Sequence, residues 1–231
     1  HEQVYKQLFA TQLQDADPSR SWAIPEAVPD GWRTRKLNHV SYIRRLIEAH
    51  TDSRELFCDF TGASGYYSFE MARLFKWVFH CDISAESMQY AWQKASKLGI
   101  ENMLFIRADY FRPPFRNVID VSYCGDTLIY SPPHEQRLLR GMHQSLKPGG
   151  TALFDFHNWW HNPLRRLGLM SNTFGECFSY NQKEATAFTQ MYFPQHKRIG
   201  YYQEFASGHR PWWMPGLFPS TRHLFISRKD G

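Results

Sequence analysis

Several features that would place the protein in a special class are missing from its sequence. Among its 231 residues, no run approaches the roughly 18 uninterrupted apolar residues of a membrane-spanning helix. The cysteines, Cys58, Cys81, Cys124 and Cys177, show no CxxC spacing, and no secretory apolar segment stands near the start. We therefore predict a soluble chain with free thiols, without a membrane span, in the cytoplasm.

Concentrated charge of one sign is also missing. The chain has 27 Lys+Arg against 22 Asp+Glu, a formal charge of +5. The densest basic pairs, such as Arg44-Arg45 and Lys197-Arg198, belong to no run of the roughly five to eight basic residues that is typical of nucleic-acid binding. The pattern favours a solvated surface and disfavours a nucleic-acid partner. Metal-ligand spacing is absent too, so no metal site is predicted.

Aromatic residues are abundant, at 16% of the chain. They are enriched over residues 154–218, which include the pairs Trp159-Trp160 and Trp212-Trp213. Such residues either pack in a core or wall an apolar or planar ligand. Because neighbouring side chains on a strand point to opposite faces, only one member of each pair could face a pocket. The sequence leaves both interpretations open.

From residue 55 onward, short apolar runs alternate with helical patterns, which predicts a parallel sheet built from βα units. The five predicted strands of this region are Glu55–Phe60, Val78–Ile83, Met103–Ala108, Val118–Cys124 and Thr151–Phe156. The predicted helices between them are Tyr67–Phe75, Ala85–Leu98 before Gly99, and a third from an N-cap at Ser131, with Pro132 first, through Leu146. In the flanks, the patterns predict helices over Leu37–Ala49 and near Lys183–Met191, and strands over Arg198–Phe205 and His223–Ser227.

These elements predict an α/β fold: a doubly wound, seven-stranded, mostly parallel sheet with helices on both faces and an antiparallel last strand. The chain is expected to form one domain with three parts. Residues 1–54 would be an N-terminal helical cover, residues 55–156 a ligand-binding core, and residues 157–231 an aromatic-rich substrate cover with the strands that complete the sheet.

Three acids follow the first three strands, where ligands of open α/β sheets bind. Asp59 opens a turn of small residues that runs to Gly65, which lets a backbone approach a ligand closely ahead of a helix N-terminus. Asp82 could accept hydrogen bonds from both hydroxyls of an adenosine ribose, and Asp109 could accept one from an exocyclic amine. Each acid alone is as readily a helix cap.

Together with Leu146-Lys147-Pro148-Gly149-Gly150 before strand five, this series resembles the class I S-adenosylmethionine-dependent methyltransferases over residues 55–156. The resemblance implies S-adenosylmethionine as cofactor and S-adenosylhomocysteine as product. It implies that the first acid opens the cofactor loop, the second binds ribose and the third binds adenine. The implied cofactor-binding residues are Asp59, Thr61, Gly62, Gly65, Asp82, Ile83, Asp109, Tyr110, Cys124 and Gly125.

The loop departs from the family in one respect. Where the family usually carries three alternating glycines, this chain has Thr61, Ala63 and Gly65. The added side chains would lie near the methionine portion of the cofactor. The same residues exclude the GxGxxG fingerprint of dinucleotide-binding proteins, so a nicotinamide enzyme is the poorer interpretation.

Methyl transfer is an in-line displacement, which needs a nucleophile held at attack distance and, for oxygen or nitrogen, a base. His157 follows strand five and is the best-placed base. Asp126 and Tyr130 follow strand four and could hold an acceptor hydroxyl or amine. For each of these three residues a structural role is the alternative.

The sequence thus predicts an S-adenosylmethionine-dependent methyltransferase that modifies an oxygen or nitrogen of a small-molecule acceptor. Two alternatives keep the fold. The acceptor could be RNA or protein, with the C-terminal aromatics stacking on bases, or the chain could be a cofactor-binding module without catalysis.

Overall fold

The computed structural model describes residues 30–128, 133–159, 178–202, 208–209 and 219–230. Predictions for Tyr130, Ser131, Trp160, Trp212 and Trp213 lie outside these residues. The described helices are α1 (Asp30–His50), α2 (Tyr66–Met71), α3 (Ala85–Lys97), α4 (Glu135–Ser145) and α5 (Gln182–Gln190). The described strands are β1 (Leu56–Asp59), β2 (Trp77–Asp82), β3 (Met103–Arg107), β4 (Ile119–Cys124), β5 (Leu146–His157), β6 (His196–Tyr201) and β7 (Arg222–Arg228).

The strands form a seven-stranded sheet in the order β3-β2-β1-β4-β5-β7-β6. Strand β2 pairs in parallel with β1 and β3, and β4 pairs in parallel with β5. Strand β7 runs antiparallel to both of its neighbours, β5 and β6. The predicted α/β sheet, mostly parallel with an antiparallel last strand, is confirmed.

The first of two compact units extends to Tyr110. Helix α1 buries an apolar face that includes Ile43 and Ile47, as the spacing of its apolar residues predicts. Strands β1 and β2 bury Phe57 and Val78 completely. Helix α3 begins where the Ser84 side chain accepts a hydrogen bond from the N–H of Ser87, and Gly99, at φ +66°, follows its end. The carboxyl ends of β1 and β2 are therefore anchored by the buried side chains of these strands.

The second unit runs from Phe111 and is built on β4, β5, β7 and β6. Its core is aromatic: Phe154 stacks on Phe225 with ring centroids 5.7 Å apart, and Phe156 meets Tyr180 edge to face at 5.0 Å. Helix α5 adds Phe188, whose ring stacks on Phe156 at 6.4 Å. Among the described residues, the aromatic enrichment of this region thus supplies core packing.

Several boundaries differ from the sequence-based expectation. Helix α1 begins at Asp30, ahead of the predicted Leu37, and α2 ends at Met71, ahead of the predicted Phe75. Helix α4 begins at Glu135 after an N-cap at His134, so the described helix starts later than Pro132. Strand β5 begins at Leu146 instead of Thr151, because Leu146 pairs with Ile119 across an irregularity in the β4–β5 register. The Lys147 ammonium lies 2.9 Å from the Asp120 carboxylate and ties the added residues to β4.

Among the described residues, no helix is both long and apolar enough to cross a membrane.

Candidate active site

The cofactor loop predicted after β1 is built around a buried carboxylate. Asp59 is 1% exposed, and the Ser68 hydroxyl donates to its Oδ2 at 2.8 Å. Burial raises the pKa of Asp59 to about 6, while hydrogen bonds from Ser68 and the Thr61 backbone and the charge of Lys36 act in the opposite direction. The contacts that hold the Asp59 side chain therefore come from residues of the first unit.

Ser68 connects Asp59 to a second buried group, His80 of β2. The Nδ1 atom of His80 lies 2.8 Å from the Ser68 hydroxyl oxygen. Because the single Ser68 proton goes to the ionised Asp59, His80 donates through Nδ1 to Ser68. Burial lowers the pKa of His80 to about 4, so its ring is neutral at pH 7.

The His80 ring also explains a glycine of the loop. A Cβ atom built on Gly62 would lie 2.3 Å from two atoms of that ring. The N–H of Gly62 donates to the Cys81 carbonyl at 2.8 Å, which draws the loop down onto β2. Gly62 is thus the residue that allows this close approach.

Asp82, the acid after β2, is hydrogen-bonded to backbone on both sides. Its Oδ2 accepts from the N–H of Ala63 at 2.9 Å, and its Oδ1 accepts from the N–H of Ser84 at 2.8 Å. Ala63 has φ +44°, in the left-handed region where the resembled family has glycine. Burial raises the pKa of Asp82, and these backbone donors act against that shift. A third backbone hydrogen bond comes from Ile83, so the carboxylate fixes the loop and still has part of its accepting capacity for a ligand.

The other predicted cofactor residues lie where their strands end. Ile83 is 55% exposed directly after Asp82, and Gly65, at φ +89°, is the N-cap of α2. Thr61 belongs to the same loop, and Asp109 and Tyr110 are half-buried after β3, all in the first unit. Cys124 and Gly125 end β4 in the second unit, where Cys124 is buried. Hence the structure gathers Asp59, Thr61, Gly62 and Asp82 around one loop.

Two of the three predicted catalytic residues are in contact in the second unit. His157 Nε2 lies 3.2 Å from Asp126 Oδ1. Their side chains are 19% and 34% exposed, so solvent or a ligand can reach the pair. Because an ionised carboxylate only accepts, Nε2 carries the proton of a neutral His157, and Nδ1 is the nitrogen available as a base.

A buried ion pair adjoins these residues. The Arg222 guanidinium lies 2.9 Å from Oδ2 of the fully buried Asp155 and also contacts Oδ1 of Asp126. Ligand atoms of Asp126, Asp155 and His157 fall within 4.8 Å of one another, a spacing that a metal ion could use. The guanidinium, however, already bridges the two carboxylates and balances part of their charge.

Sequence reasoning missed four polar residues of these clusters: Ser68, His80, Asp155 and Arg222. Two of them carried a usable signal, since His80 and Asp155 interrupt apolar strands, VFHCDI and TALFDF. A polar side chain inside a buried strand needs a hydrogen-bond partner, so it indicates a polar cluster at that position. Ser68 and Arg222 carried no such signal, because their contacts come from residues distant in sequence.

The comparisons agree with the geometry. Residues 57–150 match a family model described as a methyltransferase domain. No curated protein sequence matches the chain.

Solved structures share the fold at low sequence identity. Magnesium protoporphyrin IX methyltransferase from Synechocystis PCC 6803, solved with bound S-adenosylhomocysteine, has a TM-score of 0.65 and 14% identity, covering 99% of each chain. A possible histamine N-methyltransferase from Thermotoga maritima has a TM-score of 0.64 and 12% identity, covering 87% of this chain and 91% of its own. A methyltransferase from Methanosarcina mazei has a TM-score of 0.62 and 16% identity, covering 80% and 97%.

Residues 57–150 therefore resemble a methyltransferase domain, and the sheet has the class I fold of these S-adenosylmethionine-dependent methyltransferases.

The residues of the first unit fit this cofactor. The loop after β1 leads into the N-terminus of α2. At Gly62 and Gly65 it has no side chain, so a ligand can approach the backbone closely. Asp82 retains accepting capacity for ribose hydroxyls, and the exposed Ile83 side chain beside it offers an apolar surface for an adenine ring.

Proposed function

We propose that this enzyme methylates an oxygen or a nitrogen of a small-molecule acceptor and that His157 is the general base. The observation that carries the proposal is the contact between His157 Nε2 and Asp126 Oδ1, 3.2 Å apart on a partly exposed pair. A histidine oriented by a carboxylate is a common proton acceptor in enzymes. An ammonium acceptor must lose a proton before its nitrogen has a lone pair to attack the methyl group, and a hydroxyl acceptor must lose its proton as the new bond forms, so both need such a group.

The residues divide the work as follows. The cofactor supplies an activated methyl group on a sulfonium. Asp82 would bind the ribose hydroxyls, Asp109 the adenine amine, and the loop of Asp59, Thr61, Gly62 and Gly65 the remainder. Asp126 orients the imidazole, and Nδ1 of His157 takes the proton from the acceptor. Most of the rate enhancement would then come from holding the acceptor at attack distance with water excluded.

The size of the acceptor is inferred from charge and from relatives. The basic residues are scattered along the sequence, with a formal net charge of only +5, which offers little to a phosphate backbone. The magnesium protoporphyrin IX enzyme and the possible histamine enzyme are named for small acceptors, one planar and one an amine. Both facts support a small-molecule acceptor.

Radiolabelled methyl transfer tests the proposal. The purified protein is incubated with methyl-labelled S-adenosylmethionine and three acceptor pools: small phenols, carboxylic acids and amines; total RNA; and denatured protein. We expect label in the small-molecule pool, with kcat lowered about 10²- to 10⁴-fold in His157→Gln. His50→Gln, at an exposed position ending α1, is the matched control and should keep wild-type rates. Label confined to RNA or protein, or full activity in His157→Gln, would refute the proposal.

A further inference from the structure

The pair of His157 and Asp126 contacts a second, more deeply buried pair, Asp155 and Arg222. Asp155 is completely buried, and Arg222 is 8% exposed. One guanidinium nitrogen of Arg222 lies 2.9 Å from Asp155 Oδ2 and also contacts Asp126 Oδ1, the oxygen that faces His157. Arg222 and His157 therefore share one acceptor atom.

The backbone of Asp126 depends on the same buried pair. Asp126 has φ +59°, in the left-handed region that L residues seldom adopt. Its N–H donates to Asp155 Oδ1 at 3.1 Å. The two Asp155 oxygens thus hold the loop backbone on one side and the guanidinium on the other.

The sheet fixes where these groups can stand. In the antiparallel pairing of β5 and β7, His157 lies directly opposite Arg222. Asp155 precedes His157 by two residues, so its side chain lies on the same face of β5. The arrangement of Asp155, His157 and Arg222 is therefore set by strand register and needs no mobile segment.

Removing either buried partner has a definite consequence. Without Arg222, Asp155 would be a buried carboxylate without its guanidinium partner, and His157 would experience more of the negative charge of Asp126. Without the Asp155 carboxylate, the left-handed turn at Asp126 would lose its N–H acceptor. In both cases the imidazole would lose its defined position, its charge balance or both.

We infer that Arg222 and Asp155 are positioning residues for His157. Asp155 fixes the backbone of Asp126 in its turn, and Arg222 neutralises part of the negative charge of Asp126, so that Nδ1 of His157 stays available to accept a proton. The inference rests on the proposed role of His157 as the base. It assigns a function to β7 that goes beyond completing the sheet.

Histidine NMR on the full chain tests the inference without an acceptor. Long-range ¹H–¹⁵N spectra report the tautomer and the titration midpoint of His157, which His157→Gln identifies. In Arg222→Met we expect the midpoint to rise, since a neighbouring positive charge is lost. Arg222→Lys, which keeps the charge, should return it close to the wild-type value. An unchanged midpoint in a folded Arg222→Met protein would overturn the inference.

Two further variants complete the design. Arg198→Met is the matched control, because Arg198 of β6 contacts His223 Nδ1 at 3.2 Å and forms no hydrogen bond or ion pair with Asp126, Asp155, His157 or Arg222. It should leave the His157 midpoint unchanged. Asp155→Asn should broaden or shift the His157 signals even where Arg222→Met fails to fold; unaltered His157 signals in Asp155→Asn would count against the inference.

The pH profile of methyl transfer separates this inference from the proposed function. In Arg222→Met the acidic limb of kcat should move upward in pH together with the NMR midpoint. A midpoint that moves while the acidic limb stays in place would refute His157 as the base and leave the positioning role of Arg222 intact.

Discussion

Two residues other than glycine, Ala63 and Asp126, lie in strained turns of the predicted site. Ala63 and Asp126 both have left-handed backbones, at φ +44° and +59°. In each turn, the N–H donates to a carboxylate that lies at or near the end of a neighbouring strand, Asp82 for Ala63 and Asp155 for Asp126. Conformations that cost of order 1 kcal/mol persist only where such contacts over-determine them. Both turns belong to the predicted site, which is where strain is expected.

The strain at Ala63 can be measured by substitution. Ala63→Gly should raise the free energy of unfolding by about 0.5 kcal/mol, because relief of the left-handed backbone exceeds the added entropy of the unfolded chain. The matched control is Ala187→Gly, at an exposed position inside α5, which should lower stability by about 1 kcal/mol. Urea unfolding measures both. A loss at Ala63 as large as that at Ala187 would show that the turn is unstrained.

The buried His80 predicts a pH-dependent stability. Its pKa of about 4 lies below the ordinary 6.5, so the unfolded chain binds more protons between these values and stability increases with pH in that window. The change corresponds to about 3 kcal/mol. In urea titrations without ligand, the stability advantage of the wild type over His80→Gln should grow by this order from pH 4 to pH 6.5.

Asp59 should contribute a pH dependence of stability with the opposite sign to that of His80. Its pKa of about 6 lies above its ordinary value, so the folded chain holds this proton more tightly and the contribution of Asp59 falls as pH rises from about 4 to about 6. The wild type should therefore lose stability relative to Asp59→Asn over that range. Differences that do not vary with pH would contradict both assignments.

At the scale of elements, strand ends and helix starts carry the chemistry. Asp59 and Asp82 are the last residues of β1 and β2, and His157 at the end of β5 lies opposite the start of β7. Because register sets which residues face each other, one antiparallel pairing brings together groups that are 65 positions apart in sequence. The elements position these groups through backbone geometry.

Helix α5 has a capping arrangement that can be tested directly. The Asn181 side chain accepts from the N–H of Glu184 at 3.0 Å, and the N–H of Asn181 donates to the Glu184 carboxylate at 2.8 Å. Asn181→Ala should lower the free energy of unfolding by about 1 kcal/mol. Lys183→Ala, at an exposed position of the same first turn, should change it by less than about 0.5 kcal/mol. Equal effects in urea unfolding would show that the cap contributes nothing.

At the scale of the whole molecule, the chain consists of two compact units, one ending at Tyr110 and one beginning at Phe111. The first contains the residues assigned to ribose, adenine and the loop, and the second contains the proposed base with its supporting ion pair. Each unit packs its own core. The proposed cofactor binding by residues of the first unit and the proposed proton transfer by His157 of the second can therefore be tested with separate variants.

Ligand-induced stabilisation provides the global test of cofactor binding. S-adenosylhomocysteine at about 100 times its Kd should stabilise the protein by about 2.7 kcal/mol. For a chain of this length, that raises Tm by about 5–10 °C. Asp82→Asn should lose most of this shift in thermal-melting fluorescence, while Asp52→Asn, at an exposed position, should retain it. A shift that survives intact in Asp82→Asn would remove Asp82 from the ribose site.

The sequence alone determined most of the elements. Alternation of apolar runs with helical patterns predicted seven strands within a few residues of most of their observed ends, because hydrophobic periodicity is a local property of the chain. The acids Asp59, Asp82 and Asp109 contributed to a family resemblance, and the cofactor was implied by that resemblance and not by their spacing. The extension of β5 back to Leu146 was missed because it depends on pairing with Ile119.

Only the tertiary structure decided which polar groups meet. Arg222 reaches Asp155 and Asp126, and His80 lies under Gly62, through strand register and packing that no local pattern records. It also showed that Phe154, Phe156 and Phe225 of the second unit belong to the core, since burial is a property of the assembled sheet. A residue's type and spacing limit what chemistry it can perform, and the fold decides with which partner it performs it.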